Sequence, residues 1–140
     1  MTSETPGTTA LNPIDNDAEW VAAQISEYLA TDGEKPTFKG GAPLVLLTTK
    51  GRKSGEWRRT CLIGAEDGGR QILVASLGGA PKHPVWYLNL EANPEVVVQN
   101  RGEIIHGTAR TATPEEKPAL WAKMVALYPD YADYQTKTDR

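Results

Sequence analysis

The stretch RRTCLIGAEDGGRQILVASLGG, residues 58–79, decides the fold. Two apolar, strand-like runs flank Glu66-Asp67-Gly68-Gly69, and an Asp-Gly pair in that setting marks a tight hairpin, because glycine accepts the positive φ the turn requires. The chain therefore pairs antiparallel with itself at this point. Upstream, APLVLLTT (42–49) has the short, branched, continuous apolar character of a buried strand, and downstream EVVVQNRGEIIHGTART (95–111) repeats the hairpin pattern around Asn100-Arg101-Gly102. Five strands with little between them favour a small antiparallel barrel over a parallel sheet.

Helices flank these strands. In DNDAEWVAAQISEYLATDG (15–33), Trp20, Val21, Ile25, Tyr28 and Leu29 share one helical face, Asp15, Asn16 or Asp17 can cap the start, and Gly33 closes it. EKPTFKGG (34–41) reads as a loop. HPVWYLNLEANP (83–94) predicts a short helix from Pro84 to about Glu91, stopped by Asn93-Pro94. TPEE (113–116) is a capping box, with Trp121, Met124, Val125 and Leu127 marking the face of the helix it opens and Pro129 ending or kinking it. Trp20 and Trp121 are expected in the core.

A length of 140 residues suits one domain, expected over 15–140 behind a flexible tail over 1–14. No apolar run is near the length of a membrane span, and the first ten residues lack the basic and apolar segments of a signal peptide, so a cytoplasmic location is expected. Peripheral contact with a membrane stays open. Cys61 stands alone, which excludes an internal disulfide and suits a small buried apolar role, and two histidines are too few for a zinc site by themselves. A net charge of −3 argues against general attraction to nucleic acid.

Against that acidic background, TTKGRKSGEWRRT (48–60) concentrates five cations. Lys50, Arg52 and Lys53 lie beyond the end of a strand, Gly51 and Gly55 let the chain turn tightly, and Ser54 adds a hydroxyl, a combination able to surround a phosphate or carboxylate. Arg58 and Arg59 leave on opposite faces of the next strand, so at most one joins the same site. Pattern alone leaves two readings: an anion cradle, or a hairpin tip that is charged for solubility. A second glycine element, ASLGGAPKHPVW (75–86), brings Gly78, Gly79, Lys82 and His83 to the start of a helix, whose N-terminal end favours an anion.

Together with the aromatic tail YPDYADYQTKTDR (128–140), these motifs resemble the deazaflavin-dependent nitroreductase family of actinobacteria, from about Pro43 to Arg140. The resemblance rests on Gly-Arg-Lys-Ser-Gly, Ser-x-Gly-Gly-Ala, Pro-x-Trp-Tyr-x-Asn-Leu and the terminal tyrosines. It implies an α+β split antiparallel β-barrel that binds coenzyme F420, whose reduced form passes hydride to quinone-like or nitroaromatic acceptors. It further implies that Arg52, Lys53 and Ser54 hold the anionic part of the cofactor, with Lys50 and Arg58 in support. Ser76, Gly78, Gly79, Ala80, Lys82, Pro84, Trp86 and Tyr87 would surround the cofactor, and Tyr128, Tyr131 and Tyr134 would border the substrate.

Two departures bear on this: Leu77 stands where relatives commonly have lysine, and the chain stops at KTDR where they usually continue into another short strand. Two other readings remain at this level: a non-enzymatic F420 carrier, and the same barrel holding FMN or haem. Oligomeric state is not readable from the sequence, and His106 has no assigned role.

Overall fold

The computed structural model describes residues 5–35, 41–76 and 79–138. In chain order the elements are β1 (Ile14–Asp15), α1 (Glu19–Ala30), β2 (Leu44–Lys50), β3 (Trp57–Asp67), β4 (Arg70–Leu73), α2 (Val85–Ala92), β5 (Glu95–Asn100), β6 (Glu103–Thr108), α3 (Lys117–Leu127) and α4 (Asp130–Gln135). This is a mixed α+β fold with one six-stranded sheet. Its order is β1-β3-β2-β5-β6, with β4 paired to β3 off that path.

Both expected hairpins form. At the first, Asp67 pairs with Arg70 and the two loop residues, Gly68 and Gly69, have φ of 58° and 83°, the doubly positive turn whose twist matches the strands it joins. At the second, Asn100 pairs with Glu103 and Arg101 takes φ 56°. β3 is the spine. Its residues from Trp57 to Ile63 pair with β2, and those from Gly64 to Asp67 pair with β4. A side chain at Gly64 would meet the Val45 Cγ2 methyl at 2.7 Å, so glycine lets the strand cross closely where its partner changes.

Strand alternation sorts the core into two clusters. Leu44, Leu46, Cys61, Ile63 and Ala65 pack with Val21, Ile25 and Tyr28 of α1 and with Met124, Tyr128 and Tyr131. Val45, Leu47, Val96 and Val98 pack with Leu90 of α2, beside Trp86 and Tyr87. Leu46 is 1% exposed, and its truncation to alanine would cost about 3 kcal/mol. Cys61 is buried and free, and burial pushes its thiol up to about 12.

The structure corrects three expectations. Trp20 is 64% exposed, because α1 meets the sheet through Val21, Ile25 and Tyr28, and Trp20 lies about 100° round the helix from Val21. The strands number six among the described residues: β1 pairs parallel to β3 through Ile14–Arg58 and Asp15–Arg59. Pro129 ends α3 as expected, and a new helix, α4, starts directly behind it. The stretch set down as a tail lies against β3: Gly7 is buried, its carbonyl accepts the Trp57 N–H at 2.8 Å, and Asp15 pairs with Arg59 at 2.7 Å.

The capping box at α3 closes as expected, with the Thr113 N–H donating to Glu116 Oε1 at 3.0 Å and the Glu116 N–H to Thr113 Oγ1 at 3.3 Å. Tyr28 ties α1 to the second hairpin: its hydroxyl donates to the Gln99 carbonyl at 3.1 Å and accepts the Arg101 N–H. No described helix is long and apolar enough to cross a membrane.

Candidate functional site

Between β4 and the β5–β6 hairpin lies a cavity of about 630 Å³, within the range of small-molecule sites. Its floor is Leu47, Val96 and Val98, and its walls come from residues 69–76, α2, α3 and α4. Those walls are largely apolar and aromatic. Of the residues expected to form the site, Ser76, Gly79, Trp86, Tyr87, Tyr131 and Tyr134 line this cavity.

Gly79 explains how two walls meet. It has φ +82°, and a Cβ there would lie 2.5 Å from the Tyr134 carbonyl oxygen and 3.1 Å from the Tyr134 Cα. Only glycine permits that approach. The Gly79 N–H closes the turn on the Ser76 carbonyl at 2.9 Å, so the glycine turn is fixed directly against the helix that carries the tyrosines.

The tyrosines form one aromatic group. Tyr128 and Tyr131 pack edge to face with ring centres 5.0 Å apart, and the Tyr128 and Tyr134 hydroxyls are hydrogen-bonded at 3.1 Å. Their roles divide by depth. Tyr128 is buried in the core and is not among the cavity-lining residues, whereas Tyr131 and Tyr134 reach it. Burial pushes the Tyr131 phenol up to about 12 and, with the Tyr134 and Asp130 contacts, raises that of Tyr128 further. Both phenols are therefore protonated at neutral pH.

On α2, Trp86 and Tyr87 are in T-shaped contact at 6.3 Å, His83 stacks on Tyr87 at 4.6 Å, and the Tyr87 hydroxyl bonds Thr111 Oγ1 at 2.8 Å. The buried Pro84 caps α2, next to the exposed Lys82, while Ala80 is half-buried beside Gly79. Gly78 and Leu77 lie outside the described residues.

The basic loop is built separately. Gly51 N–H donates to the Glu56 carbonyl at 2.8 Å and Gly55 N–H to the Gly51 carbonyl at 2.9 Å, closing a small ring from which Arg52, Lys53 and Ser54 project exposed. Ser54 Oγ accepts the Glu56 N–H at 3.2 Å. The buried Asn89 of α2 anchors this ring, its Oδ1 accepting the Arg52 backbone N–H at 3.2 Å and Nη1 at 3.3 Å. Arg58 pairs with Glu56 at 3.3 Å. Lys50 and Lys53 form no ion pair among the described residues, and none of Lys50, Arg52, Lys53, Ser54 and Arg58 lines the cavity. Loop and cavity meet through α2, which carries Asn89 together with the wall residues Trp86, Tyr87 and Leu90.

Sequence reasoning passed over a third group. Glu116 holds Arg110 through both carboxylate oxygens, at 2.7 and 2.8 Å, and Arg70 at 2.8 Å. All three residues line the cavity, as do Lys117 and His106. The Arg110 guanidinium, the Thr113 N–H and Arg70 hold the Glu116 carboxyl well below the usual range. The capping box was the one visible signal for Glu116; its arginine partners depend on tertiary folding.

A family model described as F420H(2)-dependent quinone reductase matches residues 20–140. An F420H(2)-dependent quinone reductase of Mycobacterium tuberculosis is 35% identical over 117 residues, covering 81% of this chain and 78% of the relative. A solved structure described as an F420-H2 dependent reductase (FDR-A) is 49% identical with a TM-score of 0.65, covering 70% of this chain and 87% of the other. A second, described as a domain-swapped dimer, is 43% identical with a TM-score of 0.67, covering 89% and 94%.

Proposed function

The chain belongs to the F420H2-dependent quinone reductase family, and from that membership we infer that it reduces quinone-like acceptors with F420H2 in the cavity between β4, α2 and the tyrosine helix α4. One observation carries the placement: Gly79 and Tyr134 are in direct contact at the cavity wall, joining the glycine turn expected at the cofactor to the tyrosines expected at the acceptor.

The residues present fit the cofactor. A ring system needs a long apolar slot, which Leu47, Leu90, Val96, Trp86 and Tyr87 provide, and an anionic tail needs exposed donors at a fixed turn, which Arg52, Lys53 and Ser54 provide. When bound, F420H2 supplies a hydride from its ring C5. The chain's own residues contribute position, exclusion of water and a proton. Lys50 and Arg58 add charge near the loop, while Ser76, Gly79, Trp86 and Tyr87 form the surrounding wall, with Ala80, Lys82 and Pro84 beside it in sequence. Tyr131 or Tyr134 donates a hydrogen bond to the acceptor oxygen that gains charge and relays to it the proton that completes the hydroquinone, the phenol being reprotonated from solvent. Burial of Tyr131, whose phenol is pushed up to about 12, keeps that proton in place at neutral pH.

We also read the sheet as a split barrel within a single domain. Support comes from β3, which pairs with β2 and β4 in succession, and from Asn100 Nδ2, which reaches Gln71 Oε1 at 3.0 Å from the end of β5 to β4.

The test is titration of the purified protein with oxidised F420, followed by tryptophan quenching, with FMN as competitor. Saturable binding that FMN does not displace, and oxidation of F420H2 on adding a quinone, are expected. Binding of FMN in preference to F420 would remove the assignment.

A further inference from the structure

We propose that Arg70, Arg110 and Lys117 form an anion subsite at the margin of the cavity, which takes a carboxylate, sulfonate or phosphate group carried by a molecule bound inside. The proposal rests on the functional reading above but concerns residues outside the basic loop.

Charge is the first argument. The cavity is lined by three permanent cations, Arg70, Arg110 and Lys117, and by a single carboxylate, Glu116. That is a local positive excess in a chain whose net charge is −3. Glu116 cannot neutralise it. Its two oxygens are shared between Arg110 at 2.7 and 2.8 Å, Arg70 at 2.8 Å and the Thr113 N–H at 3.0 Å, and the arginines keep it ionised. Asp67, which faces Arg70 at 3.4 Å and Lys123 at 3.5 Å, does not line the cavity. Lys117 forms no ion pair among the described residues.

Geometry is the second. A guanidinium carries five N–H donors in a fixed fork, so Arg70 and Arg110 retain donors after Glu116 is satisfied. Both side chains are about half exposed, at 51% and 57%, which leaves those donors reachable. Glu116 belongs to the capping box of α3, so the forks are held from a rigid helix end and little side-chain freedom is lost on binding. The neighbouring walls, Leu120, Trp121 and Ile105, are apolar and focus the field of these charges into the cavity.

Two molecules could bring the anion: the cofactor, through its phosphate and glutamate tail, or an acceptor with an acidic substituent. One experiment separates them. In the full-length protein, Lys117→Gln and Arg70→Gln are combined, leaving the Arg110–Glu116 pair and the capping box in place. Thermal unfolding establishes that the variant is folded. Binding is measured for F420 and for its neutral deazaflavin fragment lacking phosphate and glutamates, at low and high salt. In parallel, kcat/KM is measured for a naphthoquinone sulfonate and for the neutral parent naphthoquinone.

The expected result is a charge-specific loss of about tenfold at low salt in one arm. Loss for F420 alone assigns the subsite to the cofactor tail; loss for the sulfonate alone assigns it to the acceptor. Equal changes for charged and neutral partners in both arms, or no change in either, would overturn the proposal while leaving the reductase reading intact. Wild-type protein that binds no F420 would remove both.

Discussion

The two glycine turns of this chain look alike in sequence and do opposite work in the fold. The turn at Gly51 closes on itself through Glu56, and its side chains stand in water. The turn at Gly79 is buried, and its missing side chain is what lets the Tyr134 backbone approach. In the first, glycine frees the backbone to present charge; in the second, it brings two walls of a cavity into contact. Charge and shape are thus supplied by separate turns, linked through α2, where Asn89 holds Arg52 and Trp86 faces the cavity.

The largest test of this contrast is Gly79→Ala. The new methyl would collide with backbone in a left-handed conformation, and we expect a loss of about 3 kcal/mol in urea unfolding, together with loss of quinone reduction. At Gly51 the methyl would meet first the rotatable Ser54 Oγ, at 2.6 Å, so Gly51→Ala should cost about 1 kcal/mol. Equal costs would break the comparison.

Next in size is Lys53→Ala. Removal of one exposed cation from the cradle should weaken F420 binding about tenfold with stability changed by less than about 0.5 kcal/mol. Isothermal titration with paired unfolding curves checks both halves. A stability loss without an affinity loss would make the loop a structural cap.

Tyr131→Phe sharpens the shape side. Turnover with a quinone should fall about tenfold while F420 affinity stays unchanged, since the substitution removes a hydroxyl and keeps the ring. Steady-state kinetics at saturating cofactor would show it as a fall in kcat.

The last effect is alkaline. Cys61 is raised from 9.0 to about 12 and Tyr131 from 10.0 to about 12, and each is neutral when protonated. Their contribution is fully present below the unfolded values. It is lost as pH rises, from about 9 for Cys61 and about 10 for Tyr131 up to about 12, because the unfolded chain ionises first. The urea midpoint should therefore be level through neutrality and fall above about pH 9, less steeply in Cys61→Ala relative to that variant's own neutral value.

Much of the fold was legible because its signals are local. Asp67-Gly68-Gly69 specifies a turn by φ alone, Thr113 and Glu116 specify a helix start three residues apart, and Asn93-Pro94 ends a helix by chemistry of its own. Trp20 was misplaced because helical spacing identifies a face without saying which of its edges meets the sheet. β1 escaped notice because two residues carry no period, and their pairing with Arg58 and Arg59 spans 44 residues. In the site, the glycine turns and tyrosines were visible as motifs, and their place in the site came from the family resemblance. The Arg70–Glu116 pair, 46 residues apart, did not, and Asn89 carried no charge to mark it as the anchor of the basic loop.

The most direct test of the account is single-turnover oxidation of F420H2 by a quinone in the presence of the protein, followed by the returning absorbance of F420. The account predicts that the rate saturates with quinone, exceeds the uncatalysed rate by orders of magnitude, and falls in Gly79→Ala. A rate equal to that of free F420H2, with the cofactor demonstrably bound, would contradict it and leave a protein that holds F420 without using it.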